Sequence, residues 1–288
     1  MSDSQRIDAE LARALESLGR AVKANPHSEE AKPKPPAKII QLPFWPEPVR
    51  GMPNPVLRSA LFSAVHSKDR RFIDRELIAA VNGVEIRFTG KQLNQEDLEL
   101  CAEIFHLARL HPLGDTCHTT AHGLLKTLGW STGKYQHEQL HEGLLRLQGH
   151  SVEINGPRFD YFGSLVLEGI KDKLTRHYLI KVSPKIAPLF DNGWTGLHAE
   201  QRRRLRRKPL ALWLHAFYAS HDKPFPYKVE TLRELSGSRT ANLFHFRKAL
   251  RRALTELIAA GAIATYEIDA ADLVHVHKLP TITQKSRK

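Results

Sequence analysis

Histidines and cysteines are the residues of this 288-residue chain that could hold a metal ion. Three histidine pairs have spacings that would let both side chains bind one metal ion: His118/His122, His137/His141 and His275/His277. None is accompanied by the remaining ligands of a zinc site, and the first pair lacks the glutamate of an HExxH motif. The sequence therefore predicts no metal site and no bound cofactor.

Catalytic motifs are also missing from the sequence. There is no GxxxxGK[ST] phosphate loop, no GxGxxG motif after a strand and no GxSxG elbow. Tyr178 and Tyr218 are candidate nucleophiles for DNA strand transfer, but both lie among apolar residues, as core tyrosines do. Cys101 and Cys117 are too few for a disulfide framework and are expected to be inert thiols. We therefore expect a protein that is not an enzyme.

The positive charge is concentrated in the last third of the chain. Residues 1–200 carry 25 Lys and Arg against 24 Asp and Glu, whereas residues 201–288 carry 18 against 7, within a net charge of +12. Such a concentrated excess attracts polyanions through its summed field. Nucleic acid is the leading candidate partner, and an anionic membrane surface is second.

Composition predicts a folded, soluble protein. Hydrophobic residues make up 41% and charged residues 26%, which excludes wholesale disorder, a collagen-like chain and a coiled-coil rod. No apolar run approaches the roughly 20 residues needed to span a bilayer, and the N-terminus has no signal-peptide core. We expect a cytoplasmic protein of about two domains.

The order of the predicted elements repeats along the chain. Residues 1–38 are predicted to be a flexible tail that ends in a Pro-rich linker. Residues 39–182 are predicted to hold a helix capped by Asn94, helices at 120–128 and 132–148, and a three-stranded antiparallel sheet at 150–182. The fold class expected is α+β, with tandem winged-helix domains that are each a three-helix unit followed by a β-wing.

The second predicted domain covers residues 183–280 and precedes a basic tail at 281–288. Pro209 opens its first helix, residues 231–236 form a short one, and a long helix runs from about 238 to 260. Two strands follow, with Asp269 in their turn. This domain is expected to supply the main DNA contacts, whereas the first is expected to supply dimer contacts and auxiliary DNA contacts.

The long helix of the second domain is the predicted DNA-reading helix, because the helix after the tight turn enters the major groove. The apolar residues of this helix lie on one side, and the opposite face is polar and cationic, with no acidic residue before Glu256. The candidate DNA-binding residues here are Arg239, Asn242, His245, Arg247, Lys248 and Arg252. An ordinary solvated helix face is the alternative.

A run of six cations precedes Pro209: Arg202, Arg203, Arg204, Arg206, Arg207 and Lys208. Like charges repel one another, so this density predicts contact with phosphates, with a solvated loop as the alternative. In the first domain, the corresponding helix carries Lys134, but Glu138 and Glu142 balance its basic residues. That helix is the weaker candidate for reading DNA: nonspecific contact with the DNA backbone, or no DNA contact, fits it about as well as specific readout.

Short fragments in a shared order make the chain resemble the TrfA-type replication initiators of broad-host-range plasmids. The similarity covers roughly residues 42–278 and includes Met52-Pro53-Asn54, Ser59-Ala60-Leu61-Phe62, Pro112-Leu113-Gly114, Leu128-Gly129-Trp130-Ser131, Arg146-Leu147-Gln148, Pro226-Tyr227 and Asp272-Leu273-Val274-His275. The resemblance implies binding to directly repeated origin sites (iterons), opening of an AT-rich segment, and control of plasmid copy number by a homodimer in equilibrium with an active monomer.

The resemblance also implies partners from the host. These are the replicative helicase, the host initiator, the sliding clamp and the single-stranded DNA of the opened origin. Family members carry a Gln-Leu-x-Leu-Phe clamp motif before the first domain, which Gln41, Leu42 and Phe44 match in part, while Pro43 departs from it. The segment IIQLPFW is therefore either a clamp-binding motif or an anchor packed on the first domain.

Two other function classes remain open at this point. A dimeric winged-helix transcriptional regulator would use the same basic helix, but its DNA site would be symmetric. A relaxase or recombinase would need residues for DNA cleavage, and the sequence does not supply them.

Overall fold

The structure, a computed structural model, describes residues 39–81, 83–156, 160–175 and 177–279. Its α-helices are α1 (Asn54–Leu57), α2 (Gln95–Ala108), α3 (Ala121–Thr127), α4 (Lys134–Gln148), α5 (Ala187–Asp191), α6 (Ala199–Arg204), α7 (Pro209–Ala219), α8 (Val229–Leu235) and α9 (Leu243–Ala259). Its strands are β1 (Val49–Pro53), β2 (Phe62–Ser63), β3 (Phe72–Ile78), β4 (Glu85–Lys91), β5 (Leu93–Asn94), β6 (Thr116–Thr120), β7 (Ser151–Asn155), β8 (Asp160–Gly163), β9 (Glu168–Lys171), β10 (His177–Lys181), β11 (Trp194–His198), β12 (Tyr227–Lys228), β13 (Thr265–Ile268) and β14 (Leu273–His277).

One order of elements occurs twice in this α+β fold. The first copy is α2, β6, α3, α4 and, after the inserted strands β7 and β8, the hairpin β9–β10, with sheet order β6-β10-β9. The second copy is α7, β12, α8, α9 and the hairpin β13–β14, with sheet order β12-β14-β13. In both, the short strand after the first helix pairs with the last strand of the hairpin. The predicted succession of three helices and a hairpin is therefore present in both halves.

The first of these helices begins where the sequence predicts. The Asn94 side chain accepts hydrogen bonds from the backbone N–H groups of Glu96 and Asp97, and the Asp97 carboxylate accepts one from the Asn94 N–H at 3.0 Å. This capping box satisfies donors that the first helical turn leaves open. A guanidinium nitrogen of Arg70 and one of Arg146 each lie 2.8 Å from an oxygen of the buried Asp97 carboxylate. Two ion pairs therefore hold the capping residue in place in addition to its hydrogen bond.

The prediction of a single three-stranded sheet at 150–182 is wrong. Strand β7 pairs with β4, so that β7 and β8 complete a four-stranded sheet of order β3-β4-β7-β8. Strands β9 and β10 belong instead to the sheet of β6. The alternation of side chains indicates a hairpin but does not indicate which other strand the hairpin pairs with. Between the two sheets, the chain passes through Leu165 and Val166, which are buried.

Two buried cores divide the compact unit that the chain forms from Ile40 onward. The first core draws on side chains from Leu42 to Leu197 and on Ala216 of α7, and the second on side chains from Leu205 to Val276. We name residues 40–198 the first lobe, 199–208 the connector and 209–279 the second lobe. Residues 183–198, which the sequence assigned to the second domain, pack with the first core, because β11 pairs with β1.

The predicted DNA-reading helix begins at Leu243, about five residues later than expected from the sequence. Asn242 is its N-cap, and the Asn242 Oδ1 accepts hydrogen bonds from the N–H groups of Phe244 (2.8 Å) and His245 (3.4 Å). Its predicted apolar face is buried at Phe246, Leu250 and Leu254. The helix therefore presents its opposite face to solvent.

The terminal predictions fall outside the described residues. These are the tail and Pro-rich linker at 1–38 and the basic tail at 281–288. Within the described ranges, we find no helix whose length and apolar character would let it cross a membrane.

Candidate nucleic-acid interface

The outer face of α9 carries exposed hydrogen-bonding and cationic side chains. His245, Lys248, Arg251 and Arg252 are all exposed there. Lys248 and Arg251 have no ion-pair partner within the described part of the chain, whereas the Arg252 Nε lies 3.5 Å from the Glu256 carboxylate. This face can therefore offer unneutralised donors to an anionic ligand.

The residues ahead of α9 hold its start against the first lobe. An Arg239 guanidinium nitrogen donates to the backbone oxygen of Asp69 at 2.9 Å, and the Ser236 oxygen accepts from the Ala64 N–H at 2.7 Å. Gly237, between them, has a φ of +60°, and a Cβ built there would lie 2.7 Å from the Ser63 Cβ. The turn before the helix is thus packed directly on the first lobe.

Arg247 lies at the side of the helix and is paired within the fold. Its Nε donates to Asp272 Oδ1 at 2.9 Å, and a second guanidinium nitrogen donates to Asp272 Oδ2. Asp272 belongs to the turn between β13 and β14. The sequence grouped Arg247 with the DNA contacts because it has no acidic neighbour along the chain, and the structure supplies one 25 residues away.

In the connector, the structure corrects the prediction for Arg202. This side chain is buried, donates to the Leu212 oxygen (3.1 Å) and to Gln95 Oε1 (3.2 Å), and lies 3.6 Å from the Glu99 carboxylate. Burial lowers the pKa of Arg202 and raises the pKa of Glu99. Arg202 joins the two lobes and has no surface to offer to DNA.

Other connector cations also find acceptors inside the protein. Arg203 donates to the Thr127 oxygen at 3.1 Å, and Arg206 donates to the Gly129 oxygen. These carbonyls lie at the C-terminal end of α3, where a helix carries partial negative charge. The charge density that predicted phosphates is thus partly used to fasten the connector to the first lobe.

Of the remaining connector cations, Arg204 and Arg207 are exposed and Lys208 is partly exposed. The Arg204 Nε lies 3.5 Å from the Glu200 carboxylate, and the Lys208 Nζ lies 3.4 Å from that of Glu256. Arg207 has no ion pair among the described residues. Contact of these three cations with phosphates stays a prediction.

A second cationic site is a cleft between the start of α4 and the hairpin β9–β10 of the first lobe. Its lining includes Lys134, His137, Lys171 and Lys173, with Asp172 beside them. Lys134 is 93% exposed, and its Nζ is 4.0 Å from Glu138. The sequence analysis named Lys134 but not the two hairpin lysines.

The segment with the partial clamp motif is fastened to the first lobe. The Gln41 Nε2 donates to the Arg109 oxygen at 2.9 Å, and Leu42 is buried. Phe44 is 74% exposed, with the Arg109 guanidinium 5.9 Å from its ring centroid. Trp45 is buried as well, so this arrangement matches the anchor hypothesis, whereas clamp binding stays a prediction.

Trp45 and Glu47 both form a hydrogen bond with His106 of α2. The Trp45 Nε1 donates to His106 Nδ1 at 3.0 Å, which leaves the proton of the neutral ring on Nε2, facing Glu47 Oε2 at 3.0 Å. Burial lowers the pKa of His106, whereas hydrogen bonds from His106 and Arg109 hold the pKa of Glu47 at about 2. We name residues 41–47 with His106 and Arg109 the anchor cluster.

The tyrosines and cysteines first considered for chemistry are buried. Tyr178 and Tyr218 are buried, and burial raises the pKa of both. Cys101 and Cys117 are buried free thiols whose pKa burial also raises. Across the described ranges, no three His, Cys, Asp or Glu side chains come together as a metal site would require.

Comparison with known proteins gives matches to replication initiators. The chain is 30% identical over 242 residues to the plasmid replication initiator protein TrfA of Escherichia coli, a match that covers 80% of this chain and 62% of the TrfA sequence. The chain thus spans less than two thirds of that relative's length.

Solved structures match at low sequence identity. A crystal structure of domains 2 and 3 of RctB superposes with a TM-score of 0.55 at 10% identity, covering 79% of this chain and 98% of that one. The two therefore share a fold. A crystal structure of the Pi initiator protein in complex with iteron DNA gives a TM-score of 0.47 at 14% identity, covering 65% and 95%.

The family model for the TrfA protein matches residues 27–278, which is most of the sequence. That range includes both copies of the repeated element order and the anchor cluster. The chain belongs to the TrfA protein family.

Proposed function

We propose that this protein is a plasmid replication initiator that binds directly repeated duplex sites, iterons, at an origin. The observation that carries the proposal is the exposed cationic face of α9, where Lys248 and Arg251 stand without ion-pair partners among the described residues. Membership of the TrfA family supports it. The protein acts in the cytoplasm, without enzymatic activity of its own.

Both copies of the repeated element order act as winged-helix domains in this proposal. The N-terminal part of α9 enters the major groove, with Asn242 and His245 near the bases. Lys248 and Arg251 contact phosphates, and the hairpin β13–β14 is the wing beside them. The first lobe adds contacts with the DNA backbone through Lys134, Lys171 and Lys173, which line the cleft next to its own hairpin.

Origin opening follows from binding energy in this account. Several protomers on adjacent repeats release counterions, and that gain offsets the cost of deforming the neighbouring AT-rich duplex. No nucleotide hydrolysis is required. The opened single strand, the host helicase and the host initiator are the further partners, and a homodimer in equilibrium with the monomer limits the active form.

The sliding clamp is a conditional partner. Gln41 and Leu42 are held by the first lobe, so clamp binding requires the anchor cluster to open, while Phe44 is already exposed. Alanine at Gln41, Leu42 and Phe44 together tests this step in a pull-down with clamp. Unchanged capture by that variant removes the clamp from the list of partners.

Selection of bound duplexes from a random library tests the proposed function. Two different reading lobes on one chain prefer an asymmetric site, and an initiator finds that site as direct repeats at an origin. Lys248→Ala is run in parallel, and we expect it to reduce the enrichment. A palindromic consensus would instead indicate a dimeric transcriptional regulator, and no enrichment at all would contradict sequence-specific binding.

A further inference from the structure

We propose that Arg247 is a positioning residue for DNA binding: through Asp272 it sets the hairpin β13–β14 against α9, and it makes no phosphate contact. The inference rests on the proposed function, because it assumes that α9 and this hairpin meet the duplex together. It reassigns a cation that its position on the helix would group with the DNA contacts.

The pair has the geometry of a rigid fastening. The Arg247 Nε and a second guanidinium nitrogen face the two carboxylate oxygens of Asp272, with the Nε–Oδ1 distance at 2.9 Å. Their side chains are 26% and 35% exposed, so solvent reaches the pair only partly. A bidentate, charge-assisted arrangement of this kind fixes orientation as well as distance.

Asp272 connects three elements of the second lobe. Its backbone oxygen accepts from the N–H of Val229, the first residue of α8, at 2.9 Å, and its own N–H donates to Asp269 at 3.2 Å within the hairpin turn. Its side chain receives Arg247 from α9. A residue that ties the two helices of the reading motif to the hairpin determines where the hairpin lies.

The backbone at Asp272 restricts which residues can serve there. Its φ is +62°, a left-handed conformation that aspartate and asparagine adopt more readily than most residues. Asp269 stabilises the same turn by accepting from the N–H groups of Ala271 and Leu273, both at 2.9 Å. Asparagine at position 272 therefore keeps the turn and removes only the charge that holds Arg247.

Removing the negative charge of Asp272 distinguishes a positioning role of Arg247 from a phosphate contact. If Arg247 bound a phosphate, the nearby Asp272 carboxylate would repel that phosphate, and removing its charge would strengthen DNA binding. If the pair positions the hairpin, removing either charge weakens binding. The two roles thus predict opposite signs for the same variant, Asp272→Asn.

The test measures affinity for the enriched duplex over a range of salt concentrations. We expect Asp272→Asn and Arg247→Gln each to weaken binding by about tenfold, and the double variant to be no weaker than either single variant, as for residues that act as a unit. The salt slope of all three should equal that of the wild type, since no phosphate contact is lost. Arg251→Gln is the matched control, because it removes an exposed cation on the same helix that the proposed function places on a phosphate.

Two further readouts keep the test decisive. Arg247→Lys keeps the positive charge but not the bidentate geometry, so we expect it to bind as weakly as Arg247→Gln. Thermal unfolding of each variant confirms that the second lobe is folded. Tighter or unchanged binding by Asp272→Asn, near wild-type binding by Arg247→Lys, or a slope lowered by about 0.9 in Arg247→Gln overturns the proposal.

Failure of the proposed function gives a different result. In that case the wild-type protein enriches no duplex from the library, whatever the variants do. A wild type that enriches a duplex, combined with tighter binding by Asp272→Asn, overturns the positioning role alone.

Discussion

Two cation-rich segments of this protein look alike in sequence and differ in the structure. The connector has six cations in seven residues, and α9 has four between Arg247 and Arg252. In the connector, Arg202, Arg203 and Arg206 donate to acceptors of the protein itself. On α9, Lys248 and Arg251 point to solvent. The density of positive charge therefore does not identify a DNA surface.

The difference depends on which acceptors the fold brings near. The connector passes the carbonyls at the C-terminal end of α3 and the largely buried carboxylate of Glu99. On the outer face of α9, by contrast, Lys248 and Arg251 meet no acid among the described residues, and Arg252 meets only Glu256 of the same helix. A cation run is a nucleic-acid site only where the fold leaves it without internal partners. The following predictions test this contrast.

The largest effect is expected from Arg202→Ala. Removing one partner of a buried ion pair leaves an uncompensated charge, here on Glu99, and costs about 3–5 kcal/mol of unfolding free energy. Urea denaturation measures it. Arg204→Ala, which removes an exposed helical pair with Glu200, is the matched control and should cost less than about 1 kcal/mol. Equal costs for the two variants would contradict an internal role for the connector.

An intermediate effect is expected from Gly237→Ala, which tests how the first lobe fixes the reading helix. Gly237 and Gly261 both have positive φ, but only at Gly237 would a Cβ meet another lobe, 2.7 Å from the Ser63 Cβ. Gly261→Ala should cost about 1–2 kcal/mol of unfolding free energy from the backbone conformation alone. Gly237→Ala should cost more and weaken duplex binding. If the two variants behave alike, the contact with the first lobe does not position the helix.

The smallest effect is expected from the anchor cluster, where Arg109 is another cation turned inward. The Glu47 carboxyl has a folded-state pKa of about 2 instead of its usual 4.5, so its contribution to stability is present above pH 4.5 and lost as the pH falls toward 2. Glu47 is 77% exposed, and we expect less than about 1 kcal/mol. The stability difference between wild type and Glu47→Gln, measured by urea denaturation, should shrink over that range. A difference that is independent of pH would contradict the ion pairing.

Local features of the fold could be predicted from the sequence. Asn94 followed by an acidic first turn identifies the start of α2, and the spacing of Phe246, Leu250 and Leu254 identifies the buried face of α9. Both depend on residues close together in the chain. The α+β class followed because helical and alternating periods succeed one another twice.

Distant partners could not be predicted. The Arg206 acceptor is 77 residues away at Gly129, and the partner of Arg247 is 25 residues away in a turn. The hairpin β7–β8 shows the same alternation whichever sheet it joins. Such contacts depend on how elements pack, and residue spacing carries no signal for them.

The salt dependence of duplex binding tests the contrast between the two segments most directly. The slope of log affinity against log salt is measured on the enriched duplex for wild type, Lys248→Ala and Arg206→Ala. We predict that Lys248→Ala lowers the slope by about 0.9, because one phosphate contact is lost, and that Arg206→Ala leaves it unchanged. A lowered slope for Arg206→Ala with an unchanged slope for Lys248→Ala would place the phosphates on the connector and contradict the account.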